Sequence, residues 1–168
     1  MSDTVFRYSG LGLNVNDYTL ELTCLDEDER GFSGRIVFAL PHCLVEVHNY
    51  FLGYDVWHFA QEIKAMRDGK GPRASLLSFD AEIQLLVALS PRLTGAIGIK
   101  LLCGEDFKSD CFVKECKRDS RKRPRLILDS GFIELDQSYL ETLLRDIHAF
   151  LAAARFSRQH PCIGSGKE

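Results

Sequence analysis

Six cysteines and five histidines are the residues of this 168-residue chain best suited to metal or nucleophilic chemistry. The cysteines are Cys24, Cys43, Cys103, Cys111, Cys116 and Cys162; the histidines are His42, His48, His58, His148 and His160. Structural zinc sites draw on close ligand pairs, typically two residues apart. No C-x-x-C occurs, and the adjacent His42 and Cys43 would face opposite sides of a strand. Neither a metal nor any other cofactor is expected. The irregular cysteine spacing and the absence of a basic-then-apolar leader after Met1 predict reduced thiols in a cytoplasmic protein. A nucleophilic site would need a cysteine in contact with a histidine, and Cys43 with His48 and nearby acids is the candidate. Glu46, Asp55 and Glu82 are the candidates for a paired-carboxylate hydrolase. No G-x-S-x-G elbow is present. Gly164-Ser165-Gly166-Lys167 looks like part of a phosphate loop, but no helix follows to receive the phosphate.

Charge is segregated along the chain. Lys114, Lys117, Arg118, Arg121, Lys122, Arg123 and Arg125 face only two acids, Glu115 and Asp119, so the 114–125 segment carries +5. The total is −3, which leaves −8 on everything else. A basic hairpin at 114–125 could hold phosphates, but no aromatic residue lies within it to stack on bases, so nucleic acid is not the favoured partner. The opposite pole is Asp26-Glu27-Asp28-Glu29, four successive carboxylates. They could steer a cationic protein partner. No apolar run approaches the ~20 residues of a membrane-spanning helix.

The elements that would position these groups follow from periodicity. Tyr18, Leu20, Leu22 and Cys24 alternate with polar residues, as in a half-buried strand. Residues 26–29 with Gly31 read as the turn of a hairpin whose return strand holds Ile36, Phe38 and Leu40. A short strand is predicted over 43–49. A helix over about 54–67 follows, capped by Asp55, with Trp57, Ala60, Ile63, Lys64 and Met66 on one stripe and Phe59 widening it. Strands are predicted at 74–79, 83–89 and 97–103, more weakly at 107–113, and again around Leu126 to Leu135 with a break at Ser130-Gly131. Leu140, Leu143, Leu144, Ile147, Phe150, Leu151 and Ala154 mark a final helix over about 137–154, with Ser138 and Glu141 as a capping box and Asp136 as a competing cap. Short turns favour antiparallel pairing, and two helices cannot cover both faces of a parallel sheet. The expectation is a single α+β domain over 1–155, a bent antiparallel β-sheet or sandwich with two packed helices, followed by a flexible tail over 156–168.

Several segments in this order carry a family resemblance. They are Leu20-Glu21-Leu22, Gly31-Phe32-Ser33-Gly34-Arg35, the helix from Trp57 to Met66, and Ala74-Ser75-Leu76-Leu77-Ser78-Phe79 before Glu82-Ile83-Gln84-Leu85. Last comes Phe132-x-x-x-Asp136-Gln137-Ser138-Tyr139-Leu140. Together they resemble small bacterial proteins of the WapI-like immunity type over roughly residues 18 to 151. The resemblance implies binding without chemistry: a cytoplasmic immunity protein that neutralises a cognate toxin domain by direct contact. The steering charges would then be Asp26, Glu27, Asp28 and Glu29, with Arg118, Arg121, Lys122 and Arg123 at the opposite pole. Tyr50, Tyr54 and Trp57 are candidate anchors, with core packing the favoured role for Trp57. The alternatives are a small enzyme built on Cys43 and His48, and a nucleic-acid adaptor using the 114–125 hairpin.

Overall fold

The computed structural model describes residues 3–41, 43–104, 128–129 and 132–156. Within them the chain is an α+β fold of two antiparallel sheets and two helices. The first sheet is a meander of β1 (Thr4–Gly10), β2 (Tyr18–Glu27), β3 (Gly31–Leu40) and β4 (Cys43–Leu52). Helix α1 (Gly53–Arg67) then leads into β5 (Arg73–Leu77), β6 (Ile83–Leu89) and β7 (Ala96–Cys103). Two short strands share the far edge of β7: β8 (Leu128–Asp129) beside Leu102 and Cys103, and β9 (Ile133–Asp136) beside Ala96 to Ile99. Helix α2 (Tyr139–Ala153) ends the described fold. No helix among the described residues is long and apolar enough to cross a membrane. The expected strand over 107–113 and Ser130-Gly131 lie outside the described residues.

Alternation decides which face of each strand is buried. Leu20 and Leu22 of β2, Phe32, Ile36 and Phe38 of β3, and Val45, Val47 and Phe51 of β4 are all buried. Each large apolar side chain so buried is worth roughly 1.5–3 kcal/mol. Both helices pack onto this layer and onto each other. Their stripes are Val56, Phe59, Ala60, Ile63 and Met66 on α1, and Leu140, Leu143, Leu144, Ile147, Phe150 and Leu151 on α2. The α1 stripe keeps the expected Phe59, Ala60, Ile63 and Met66, but Val56 takes the place of Trp57, which falls on the outer flank against Tyr54, ring centroids 6.3 Å apart, and Lys64 is exposed.

Several boundaries differ from the sequence reading. Strand β4 is ten residues long and runs straight into α1, so Asp55 lies inside the first turn and does not cap it. The helix instead begins where the Gly53 N–H donates to the Arg30 carbonyl at 2.9 Å. The capping box at α2 does not form either. Ser138 is already helical, and Glu141 reaches across to Arg67 of α1 at 2.9 Å. Asp136 does act at that helix start, accepting the Ser138 N–H at 2.8 Å. Strand β1 was not anticipated at all. Phe156 is buried, so the packed core extends past the expected boundary at residue 155; residues 157–168 lie outside those described.

The two sheets are stitched together at both edges. At one, the Leu13 N–H donates to the Glu134 carbonyl at 2.7 Å. The Asn14 side chain there both donates to the Phe132 carbonyl and accepts the Glu134 N–H, each at 2.8 Å, as a strand backbone would. At the other edge the Phe79 N–H donates to the Tyr50 carbonyl at 2.8 Å. Between these seams lies an aromatic cluster centred on Phe32, with ring centroids 5.6 Å from Phe51, 5.2 Å from Phe150 and 5.8 Å from Phe156. Two glycines make room for it. A Cβ on Gly34 would meet the Phe51 ring at 2.9 Å, and one on Gly31 would sit 2.0 Å from the Phe51 carbonyl oxygen. A carbonyl on a paired strand has nowhere to go. Gly31→Ala should therefore lower unfolding stability by about 2 kcal/mol, an overpacking cost, seen as a lower urea midpoint. A midpoint equal to that of the unsubstituted protein would show that β3 and β4 separate at this point without penalty.

Candidate functional site

The acidic stretch does not form one turn. Asp26 and Glu27 still belong to β2, and the connection to β3 is residues 28–30. A bulge at Leu25 shifts the pairing between Cys24 and Asp26 and reverses the alternation beyond it. Glu27 consequently pairs opposite Phe32, on the core side, and reaches the end of α2. It accepts the Arg155 N–H at 3.3 Å and lies 3.8 Å from the Arg155 guanidinium. Asp3, Asp26 and Glu27 line a shallow cleft with Cys24, Leu25 and Phe150. Burial first, then Glu27, Asp3 and Asp26, push the Cys24 thiol up to about 11, which keeps it protonated and a poor nucleophile.

Asp28 faces the other way. Its Oδ1 accepts the Arg30 N–H at 2.7 Å and the Gly31 N–H at 3.1 Å, closing the turn. The same oxygen accepts the Tyr50 hydroxyl at 2.7 Å. The Tyr50 hydroxyl, then the Arg30 N–H, hold the Asp28 carboxyl below its ordinary range. The candidate anchor Tyr50 is thus drawn into the acidic turn. Its ring meets Phe79 edge-on at 6.2 Å. Glu29 is exposed at the tip.

Phe79 was not anticipated as a surface residue. Its parity carried the signal: Ala74, Leu76 and Ser78 are buried, whereas Leu77 and Phe79 are exposed. The β5–β6 turn that presents it is tightly bonded. Buried Ser78 donates its hydroxyl to Asp80 at 2.6 Å and accepts the Ile83 N–H at 3.0 Å. Asp80 also accepts the Glu82 N–H at 3.1 Å and the Asn49 amide at 3.2 Å. Burial pushes the Asp80 carboxyl up, but the bonds from Ser78, Glu82 and Asn49 outweigh it and hold the group low. Ala81 completes the turn at φ +59°, a left-handed conformation that a Cβ disfavours.

The Cys43–His48 site does not assemble. Cys43 shares the inner face of β4 with Val45 and Val47, whereas Glu46 and His48 lie on the outer face. There they belong to a ladder of alternating charge across all four strands. Arg7 forks onto Glu21 at 2.6 and 2.9 Å, and Thr23 donates to Glu21 at 2.6 Å. Arg35 forks onto Glu46 at 2.7 and 3.1 Å, with His48 at 3.2 Å from the same carboxylate. Arg35 first, then His48, hold the Glu46 carboxyl down at about 2. Asp55 in α1 and Glu82 in the β5–β6 turn stand on other elements. Among the described residues no three of His, Cys, Asp and Glu gather as a metal site. No disulfide joins Cys24, Cys43 or Cys103. Cys111, Cys116, Cys162, His42, His160 and the basic residues Arg118, Arg121, Lys122 and Arg123 lie outside the described residues.

No protein-family model, curated protein or solved structure matches the chain.

Two outcomes follow from this geometry. The Glu46 carboxyl is depressed from an ordinary 4.5, so its stabilisation is complete above that pH and lost as pH falls toward 2. Glu46→Gln should flatten the stability–pH curve between those limits; a curve of unchanged slope would mean the Arg35–Glu46 pair adds nothing to the fold. Ala81→Gly should raise stability by roughly 1 kcal/mol by relieving the left-handed alanine. A lower denaturant midpoint for that variant would contradict the reading.

Proposed function

We propose that this chain is a protein-binding module whose acidic end meets a cationic protein, and that it serves as a cytoplasmic immunity protein covering the working surface of a toxic domain. The observation that carries the reading is the Tyr50–Asp28 hydrogen bond. It fixes an aromatic side chain within the acidic turn, next to exposed Phe79. Interfaces draw most of their affinity from a few aromatic anchors and much of their association rate from surrounding charge. The remainder of the chemistry agrees. Cys24 is held as a thiol, and Cys43 and His48 face away from each other. The outer charges of the first sheet satisfy one another.

The decisive experiment pairs the chain with the protein encoded immediately upstream of it. Co-expression should rescue growth from that protein's toxic domain, and the two should co-purify. A neighbour without toxicity, or rescue without association, would overturn the immunity reading. Steering is tested separately by Asp26→Lys with Glu29→Lys, both at exposed positions. Association should slow by about ten-fold at low ionic strength, and the deficit should shrink as salt screens it. Equal rates would remove the acidic end from the encounter.

A further inference from the structure

A full negative charge and an exposed ring face lie one tyrosine apart at this end of the molecule. Phe79 is 66% exposed although the turn it sits in is held by the Ser78 and Asp80 hydrogen bonds, and its ring stands at 88° to Tyr50. All three donors to Asp28 converge on Oδ1, from Arg30, Gly31 and Tyr50. Oδ2 accepts no hydrogen bond among the described residues. Asp80, next in sequence to Phe79, adds a second fixed carboxylate, anchored by Ser78 and Asn49. The whole arrangement is pinned by backbone: Phe79 N–H to the Tyr50 carbonyl at 2.8 Å, and Gly53 N–H to the Arg30 carbonyl at 2.9 Å.

These features distinguish between cations. An ammonium can also sit over a ring, as Lys100 does over Phe132 at 4.8 Å, but it is a compact, strongly hydrated point charge that cannot stack flat and reach a carboxylate from its edge. A guanidinium is planar and weakly hydrated, stacks on an aromatic face, and still offers N–H groups at its edge to a carboxylate. We infer that this patch receives an arginine side chain of the cationic partner, its guanidinium over Phe79 and an edge N–H on Asp28 Oδ2. The inference rests on the acidic-end reading above and sharpens it from charge to a single residue type. Arg30 shares the turn and opposes an incoming cation, so the site depends on the stacking term as well as on net charge.

The test is a titration of the full ¹⁵N-labelled chain with the peptide acetyl-Gly-Arg-Gly-Arg-Gly-amide and with its lysine counterpart of equal charge. Amide shifts should concentrate at residues 28–31, 50 and 79–81, and the arginine peptide should bind about three-fold or more tightly than the lysine peptide. Phe79→Leu keeps an apolar side chain at an exposed position, so it should leave the rest of the spectrum intact while abolishing the preference. Equal affinities, a preference that survives Phe79→Leu, or shifts that track Asp26 and Glu27 would overturn the arginine site and leave the acidic-end reading standing. No shift with the arginine peptide would also overturn it. The acidic-end reading itself is decided by the upstream-partner and charge-reversal experiments.

Discussion

The contact between Phe32 and the rings of Phe51, Phe150 and Phe156 is the constraint on which the acidic end depends. It joins β3, β4, α2 and Phe156, three residues beyond α2, in one cluster. It also explains the glycines beside it. With Phe32 directed into the core, the chain must turn back at Gly31 against the Phe51 carbonyl, where no side chain fits. The turn at Asp28 is then obliged to close in three residues, and its carboxylate finds the Arg30 and Gly31 N–H groups within reach. Glu27, opposite Phe32, is swept toward the end of α2. A hydrophobic contact in the interior thus sets the direction of two carboxylates at the surface.

The same logic separates what the sequence could and could not disclose. Alternating large apolar side chains made β2, β3, β6 and β7 legible, and the 3.6-residue period made α2 legible, because Leu20 and Leu22, Ile36 and Phe38, Ile83, Leu85 and Val87, and Ile97, Ile99 and Leu101 are the residues that go inside. Strand β1 escaped because a register shift between Thr4 and Phe6 buries both Val5 and Phe6, which destroys the alternation. Helix α1 was legible through Phe59, Ala60, Ile63 and Met66, all buried, but Trp57, the largest apolar side chain in it, lies on the flank while Val56 fills the stripe. The Asp55 cap and the Ser138–Glu141 box do not form for a related reason, although Asp136 does act at the start of α2. A sequence pattern cannot show that a distant carbonyl, that of Arg30, already satisfies a helix N-terminus, or that Glu141 has a better partner in Arg67.

The candidate site was legible only in part. The carboxylates of 26–29 announce themselves, but the bulge at Leu25 that divides them between two directions does not. Tyr50 was recognisable as an aromatic near that turn, yet Phe79 becomes its neighbour only through the seam between β4 and the end of β5. Conversely, Glu46 and His48 look reactive on paper. Across the sheet they are absorbed into a ladder in which every carboxylate has a guanidinium. A charged residue on a strand has to be judged with the strands beside it, because cross-strand neighbours are closer to it than its own sequence neighbours on that face.

The Asn14 seam has a consequence for how the protein is made. Asn14 bonds to the Phe132 carbonyl across 118 positions of sequence, and the Tyr8 hydroxyl reaches Asp146 across 138. During synthesis at about 5–20 residues per second, the first sheet would wait on the order of 6–24 s after Asn14 is joined before its partner strand exists. Through that interval Phe32 has no Phe150 of α2 to pack against. The meander is therefore the stretch of nascent chain most exposed to chaperones and to premature pairing with other chains. Its outer ladder of opposed charges, complete as soon as β4 is added, leaves only one face of that intermediate to be guarded.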